Sequence, residues 1–211
     1  FHLQDFDANG TFLAETFDAF DLGGTDVDDP SAIAATPDGR VVVVGTAGAN
    51  PIQAFTYGAI AVLGWDPQGD LVLDSTFSSD GRMAVGFSNR IYNSLSDVVV
   101  QGTNRFLVAG TAKTQILDNA MAVARLSIDG SLDGTFHPPG NGRRLVDFDI
   151  AAPENDLANR LALQGGRIVL GGQVDIAGDS TSVGLARLEN QWIFAGGFDG
   201  QEVSDWLFSP P

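Results

Sequence analysis

The chain has 211 residues, with 27 acidic against 11 basic side chains and a formal net charge of -16. That balance repels phosphate backbones and anionic lipid surfaces, so nucleic acid is not an expected partner. The absence of cysteine removes disulfides, thiolate metal sites and cysteine nucleophiles together, and no apolar run approaches the roughly 20 residues of a membrane span.

Because the first residue is Phe1 rather than Met, removal of an N-terminal segment is expected, either a signal peptide or a stretch trimmed when the sequence was bounded. Residues 1–22 supply two predicted strands around "DFDANG". Asp5, Asp7 and Asn9 put oxygen ligands at positions 1, 3 and 5 of a calcium-type loop with Gly10 at position 6. Such a loop wants an acid at position 12, where Thr16 stands, or at position 9 in hairpin-type loops, where Leu13 stands. Later copies of this turn lack the alternating acids. The expectation is therefore a solvated hairpin turn, with Asp5, Asp7 and Asn9 named as the first ligands of any calcium ion.

The next segments repeat. "RVVVVGT" (40–46) returns as "RFLVAGT" (105–111) and "RIVLGGQ" (167–173), placing Gly45, Gly110 and Gly172 at spacings of 65 and 62 residues. Each copy is entered from a turn, "TPDGR", "QGTNR" or "QGGR", rich in residues that tolerate positive φ. A first strand precedes each turn, at 32–36, 97–101 and 159–163. A second block follows: "AIAVLGWDPQGD", "AMAVARLSIDGS" and "SVGLARLENQ". It continues as "LDSTFSSDGRMAVGF", "LDGTFHPPGNGRRLVDF" and a degenerate "GGFDGQEVSDWLF" at 196–208. Helical periodicity is absent from these blocks; short apolar runs between glycine turns fill them.

The predicted fold is all-β: a single β-propeller-like domain over 1–211 with about three to four blades of four antiparallel strands. The repeats span about 32–88, 94–148 and 157–208, with a partial blade at 1–22. Buried on both faces, such strands read as near-continuous apolar runs. Three and a half blades must close, be capped by a partner, or join a second chain in a homo-oligomer.

"AATPDGRVVVVGT", "AVARLSIDGSLDGTF" and "LDSTFSSDGRMAV" resemble the delta-60 repeat, a β-propeller-like family of bacterial, mostly cell-surface or secreted proteins. The resemblance implies fold and export, to a secreted, periplasmic or cell-surface location after removal of an N-terminal segment, and it transfers no catalytic residue.

Other candidates have simple structural readings. His2 and His137 are too few for a histidine metal site or a Ser-His-Asp triad. Asp74 and Asp133 recur before "STF" and "GTF" and form the one carboxylate pair that a glycosidase would use, although recurrence favours a turn-capping role. Arg125 and Arg187 are expected to pair with turn acids of an adjoining blade. The glycine pairs 171–172 and 196–197 lack the rest of a phosphate loop. Trp65, Trp192, Trp206, Phe6, Phe77 and Phe136 are expected to pack mostly between blades. No cofactor is expected. The function that follows is a non-enzymatic exported module acting through protein contact, as a binding module or an accessory subunit. The alternative is a carbohydrate-active hydrolase with carboxylates at the ring centre.

Overall fold

The computed structural model describes residues 2–17, 28–48, 55–87, 92–115, 118–137, 141–148, 150, 155–176 and 180–190. Among them every regular element is a strand. Strands β1 (His2–Phe6) and β2 (Phe12–Phe17) form a hairpin. Unit 1 is an antiparallel meander of β3 (Asp28–Ala35), β4 (Val41–Gly48) and β5 (Thr56–Trp65). On the far edge of β5 lie both β6 (Leu71–Leu73) and β7 (Arg82–Val85). Unit 2 repeats the order as β8 (Tyr92–Gln101), β9 (Arg105–Gln115), β10 (Asp118–Ser127) and β11 (Arg143–Val146). Unit 3 contributes β12 (Leu157–Gln164), β13 (Arg167–Ile176) and β14 (Ser180–Glu189). Among the described residues no sheet closes on itself.

The glycines that mark the repeat have a steric cause. Pro30 faces Gly45 while Ala32 faces Val44, so Ser31 is bulged out of the ladder. The same slip bulges Ser96 opposite Gly110 and Asn159 opposite Gly172. A Cβ at Gly45, Gly110 or Gly172 would lie 2.0, 1.9 or 1.8 Å from the backbone oxygen of Asp29, Ser94 or Leu157. Only glycine admits this approach. The three glycines therefore occupy one structural position in three successive units, as the spacing predicts.

Alternation along each strand gives every unit two apolar faces. Val42, Val44, Ile60 and Val62 of unit 1 share a core with Leu95, Phe106, Val108 and Ala124 of unit 2. Leu107, Ala109, Met121 and Val123, on the other face of unit 2, share a second core with Leu161, Ile168, Leu170 and Leu188 of unit 3. Leu3 of the first hairpin packs on the remaining face of unit 1. Successive units are thus stacked face to face. Their edges touch through single parallel bridges, Thr56 with Tyr92 and, 63 residues on, Asn119 with Asn155.

Several expectations need correction. The first strand of unit 1 starts at Asp28 rather than 32, because the bulge lets the ladder continue past Ser31. The fourth strand of unit 1 is split into β6 and β7, since the turn from Asp74 to Gly81 interrupts it. From Val62 to Asp74 is 12 residues and from Arg125 to Asp133 is 8, although Asp74 N donates to Val62 O just as Asp133 N donates to Arg125 O. Unit 1 therefore carries a four-residue hairpin extension. Phe77 and Phe136 are buried as predicted, but Phe6 and Trp65 are about half exposed: Phe6 lies on the outward face of the terminal hairpin, and Trp65 in the extension. Trp192, Trp206 and the stretch 196–208 lie outside the described residues, as do 18–22 of the predicted partial blade.

Candidate functional site

The "DFDANG" segment is the tip of the β1–β2 hairpin. Gly10 turns the chain at φ +81°. One carboxylate oxygen of Asp7 accepts the amides of Asn9 and Thr11, each at 2.8 Å, and these backbone bonds lower its pKa. Asp66 does the same for Gln68 and Asp70 in the unit 1 turn, at 2.9 and 2.8 Å. Asp5 lies within β1 opposite Ala14, and Asn9 is exposed at the tip. Asp7 thus has a turn-capping task that its counterpart performs without flanking acids. Among the described residues no cluster of three or more His, Asp or Glu side chains gathers into a metal-holding group.

Asp74 and Asp133 also have structural tasks. Arg40 Nη1 donates to Asp74 at 2.9 Å, while the amide and hydroxyl of Thr76 cap its other oxygen at 2.9 and 2.7 Å. Asp133 pairs with Arg105 at 2.9 Å and Arg125 at 3.0 Å, and Thr135 caps it in the same manner. Burial pushes both carboxyls up, but the threonine hydrogen bonds and the guanidinium groups outweigh it and hold both pKa values below the ordinary range. A glycosidic general acid needs the opposite shift. His137 closes the turn after Phe136 at φ +52°, and burial lowers its pKa.

Arg125 departs from its predicted role. Its acid, Asp133, belongs to its own unit, and what it reaches in the adjoining unit is an amide: Arg125 donates to the carbonyl of Asn190 and, at 2.9 Å, to its side-chain oxygen. The guanidinium is 1% exposed, donates to the Thr135 hydroxyl at 2.7 Å and sits 5.2 Å over the Phe136 ring. Burial lowers its pKa against the pull of Asp133. Arg187 lies on the exposed face of unit 3 instead.

Two residues that the sequence reading missed tie each unit to the next. The amide of Phe87 donates to Asn93 Oδ1 at 3.2 Å, and that of Phe148 to Asp156 Oδ2 at 2.7 Å. Both acceptors are almost fully buried, 63 residues apart. The only sequence signal is that spacing, without a shared residue type.

Two open clefts lie on units 1 and 2. One of about 420 Å³ is lined by Arg40, Asp74, Trp65 and Val72, and exists because of the unit 1 extension. The other, about 380 Å³, surrounds Lys113, whose ammonium lies 5.5 Å from the Tyr92 ring centre.

The most distinctive surface is the outward face of unit 3. By register, Val183 stands where Met121 stands in unit 2, opposite Gln173 and Thr111 respectively, and Leu185 where Ile60 and Val123 stand, opposite the residue that precedes the marker glycine. Met121, Ile60 and Val123 are 0% exposed, whereas Val183 is 78% and Leu185 68% exposed. An apolar face that is core in the first two units is open in the third. Comparison with known proteins finds no matching family model, no matching curated protein and no matching solved structure.

Proposed function

We propose that this chain is a non-enzymatic, exported repeat protein, its units the blades of a delta-60-like β-propeller arrangement, and that it works by protein contact as a binding module or accessory subunit. The observation that carries the reading is the open apolar face of unit 3, with Val183 and Leu185 in positions that are core elsewhere. Exposed apolar surface of this kind marks a contact site. The hydrolase reading loses its material, because Asp74 and Asp133 are committed to arginine and threonine partners and held ionised.

Two measurements test it. Cross-linking should report protein contacts that disappear in a Val183→Asp, Leu185→Asp variant, over an interface of at least roughly 1,000 Å². A panel of oligosaccharides should show no turnover. Hydrolysis of any glycan that is lost in Asp74→Asn or Asp133→Asn overturns the proposal.

A further inference from the structure

We infer that the cleft around Lys113 on unit 2 is a binding site for a small, singly charged hydroxycarboxylate, of the chemical class of an acidic monosaccharide. The inference goes beyond the protein-contact reading and is independent of it, since it uses another surface and another kind of ligand. It starts from register. Tyr92 and Asn119 both stand opposite Lys113, and Thr111, two residues before Lys113 on the same strand, stands opposite Ser94. Side chains directly opposed, or two apart on one strand, share a face of the sheet, so these five project together. They line a cleft of about 380 Å³, within the size range of small-molecule sites.

Most of these groups have no task in the fold. At the cleft margin Asn93 and Thr56 are occupied: Asn93 Oδ1 accepts the Phe87 amide and Thr56 Oγ1 the Asn93 amide, each at 3.2 Å. Asn119 Nδ2 donates to Asn155 Oδ1. The hydroxyls of Tyr92, Ser94 and Thr111, by contrast, enter no hydrogen bond among the described residues. The Lys113 ammonium forms no ion pair among them either, and rests 5.5 Å from the centre of the Tyr92 ring. Nor does the repeat require this set. Gly48 and Asp175 stand where Lys113 stands, three residues past the marker glycine, and Asp29 and Leu157 stand where Ser94 stands, one residue before the partner of that glycine. Unit 1 thus has an acid and no cation at these positions, and unit 3 an acid in place of the cation.

The lining selects the ligand. An ammonium only donates, hydroxyls donate or accept, and among the described residues no acid lines the cleft in a chain that has 27 of them. An acceptor-rich anion matches such a lining. Lys113, the only lysine of the chain, balances one charge, whereas the net charge of -16 penalises each further negative charge on a ligand. A monovalent carboxylate is therefore favoured over phosphate or sulfate. The three unspent hydroxyls then call for ligand hydroxyls, which a bare carboxylate would not supply.

Because there is one lysine, isotopic lysine labelling of the intact chain gives one side-chain signal, and an NMR titration with glucuronate at constant ionic strength reads the site directly. The Lys113 methylene signal should shift and saturate with glucuronate, but not with glucose or inorganic phosphate. Ser94→Ala and Thr111→Val should each weaken the glucuronate response about two- to tenfold, the worth of one hydrogen bond. In Lys113→Met the response of Tyr92, followed by tyrosine labelling, should vanish, while Val183→Asp with Leu185→Asp should titrate as the wild type does. The wild-type titration decides the matter even where a variant misfolds. A lysine signal that glucuronate leaves unmoved overturns the inference. So does an equal response to glucose, which would remove the need for charge, or to phosphate, which would reduce the cleft to a general anion contact. A Tyr92 response that survives in Lys113→Met also overturns it.

Discussion

The junction between units 1 and 2 and the junction between units 2 and 3 use the same strands in the same register, yet they are chemically different. Val62 and Arg125 occupy one position: the amide of Val62 donates to Gly81 O and that of Arg125 to Gly142 O. Val62 sits in an apolar core, whereas Arg125 is a fully buried cation held by Asp133, Thr135 and Asn190. Ala32 and Asp97 also share a position, after the bulge, and Asp97 reaches across the second junction to accept the Leu161 amide at 2.8 Å. Even a shared need is met differently. Ile128 O, the counterpart of Asn190 O, receives Arg40 Nη1 at 3.5 Å from the rim of unit 1. The repeat geometry thus fixes where the polar groups are needed, not which strand supplies them. A polar junction specifies its partner more narrowly, because each buried group demands its own mate.

The sharpest way to break this comparison is to exchange the two residues. Val62→Arg places a cation where Ile128, not asparagine, faces it, and should cost about 4 kcal/mol or more, enough to unfold a marginal domain. Arg125→Val leaves the Asn190 carbonyl and the Thr135 hydroxyl without their donor, but Asp133 keeps Arg105; we expect a loss of about 2–3 kcal/mol. Urea denaturation of both variants checks the order. Equal costs would mean that the two junctions are interchangeable.

A smaller contrast separates the rim arginines. Arg40 is the arginine that holds Asp74, and its side chain is 16% exposed; Arg105 shares Asp133 with Arg125 and is 35% exposed. Arg40→Ala should lower stability by about 1–2 kcal/mol, and Arg105→Ala by less than about 1 kcal/mol, since solvent screens it and a second cation remains. A larger effect at Arg105 would show that Arg125 does not compensate Asp133.

What the sequence made legible was local or repeated. Turn glycines and β-branched runs announce strands within a few residues, and Gly45, Gly110 and Gly172 stand out because one steric demand recurs three times. The task of Asp74 and Asp133 could be read from recurrence as well. The junction chemistry was hidden, because Arg125 and Asn190 are 65 residues apart in sequence and meet only through face-to-face stacking. Asn93 and Asp156 share a role but not a residue type. The exposure of Phe6 and Trp65 escaped prediction because identity says nothing of whether a next layer covers the residue.

The smallest effect concerns acid, and it compares the exposed turn of unit 1 with the buried pair of unit 2. Hydrogen bonds from Arg40 and Thr36 hold the Asp38 carboxyl at about 2, below its ordinary 3.8. Asp133 is held lower too, where Thr135 and the two arginines outweigh its burial. A carboxyl depressed by folding stabilises the protein above its unfolded value and loses that contribution as pH falls through the folded value. Stability should therefore decline as pH drops from about 4 toward about 2. The Asp38 side chain is 51% exposed and that of Asp133 only 6%. Solvent discounts the first to a few tenths of a kcal/mol, roughly, whatever its pKa. Asp38→Asn should leave the acid slope almost unchanged, while Asp133→Asn should flatten it and lower stability at neutral pH. Urea midpoints measured at neutral pH and at several acidic values decide the matter. A slope carried by Asp38 would place the acid-sensitive link in the exposed turn and overturn the assignment to the buried pair.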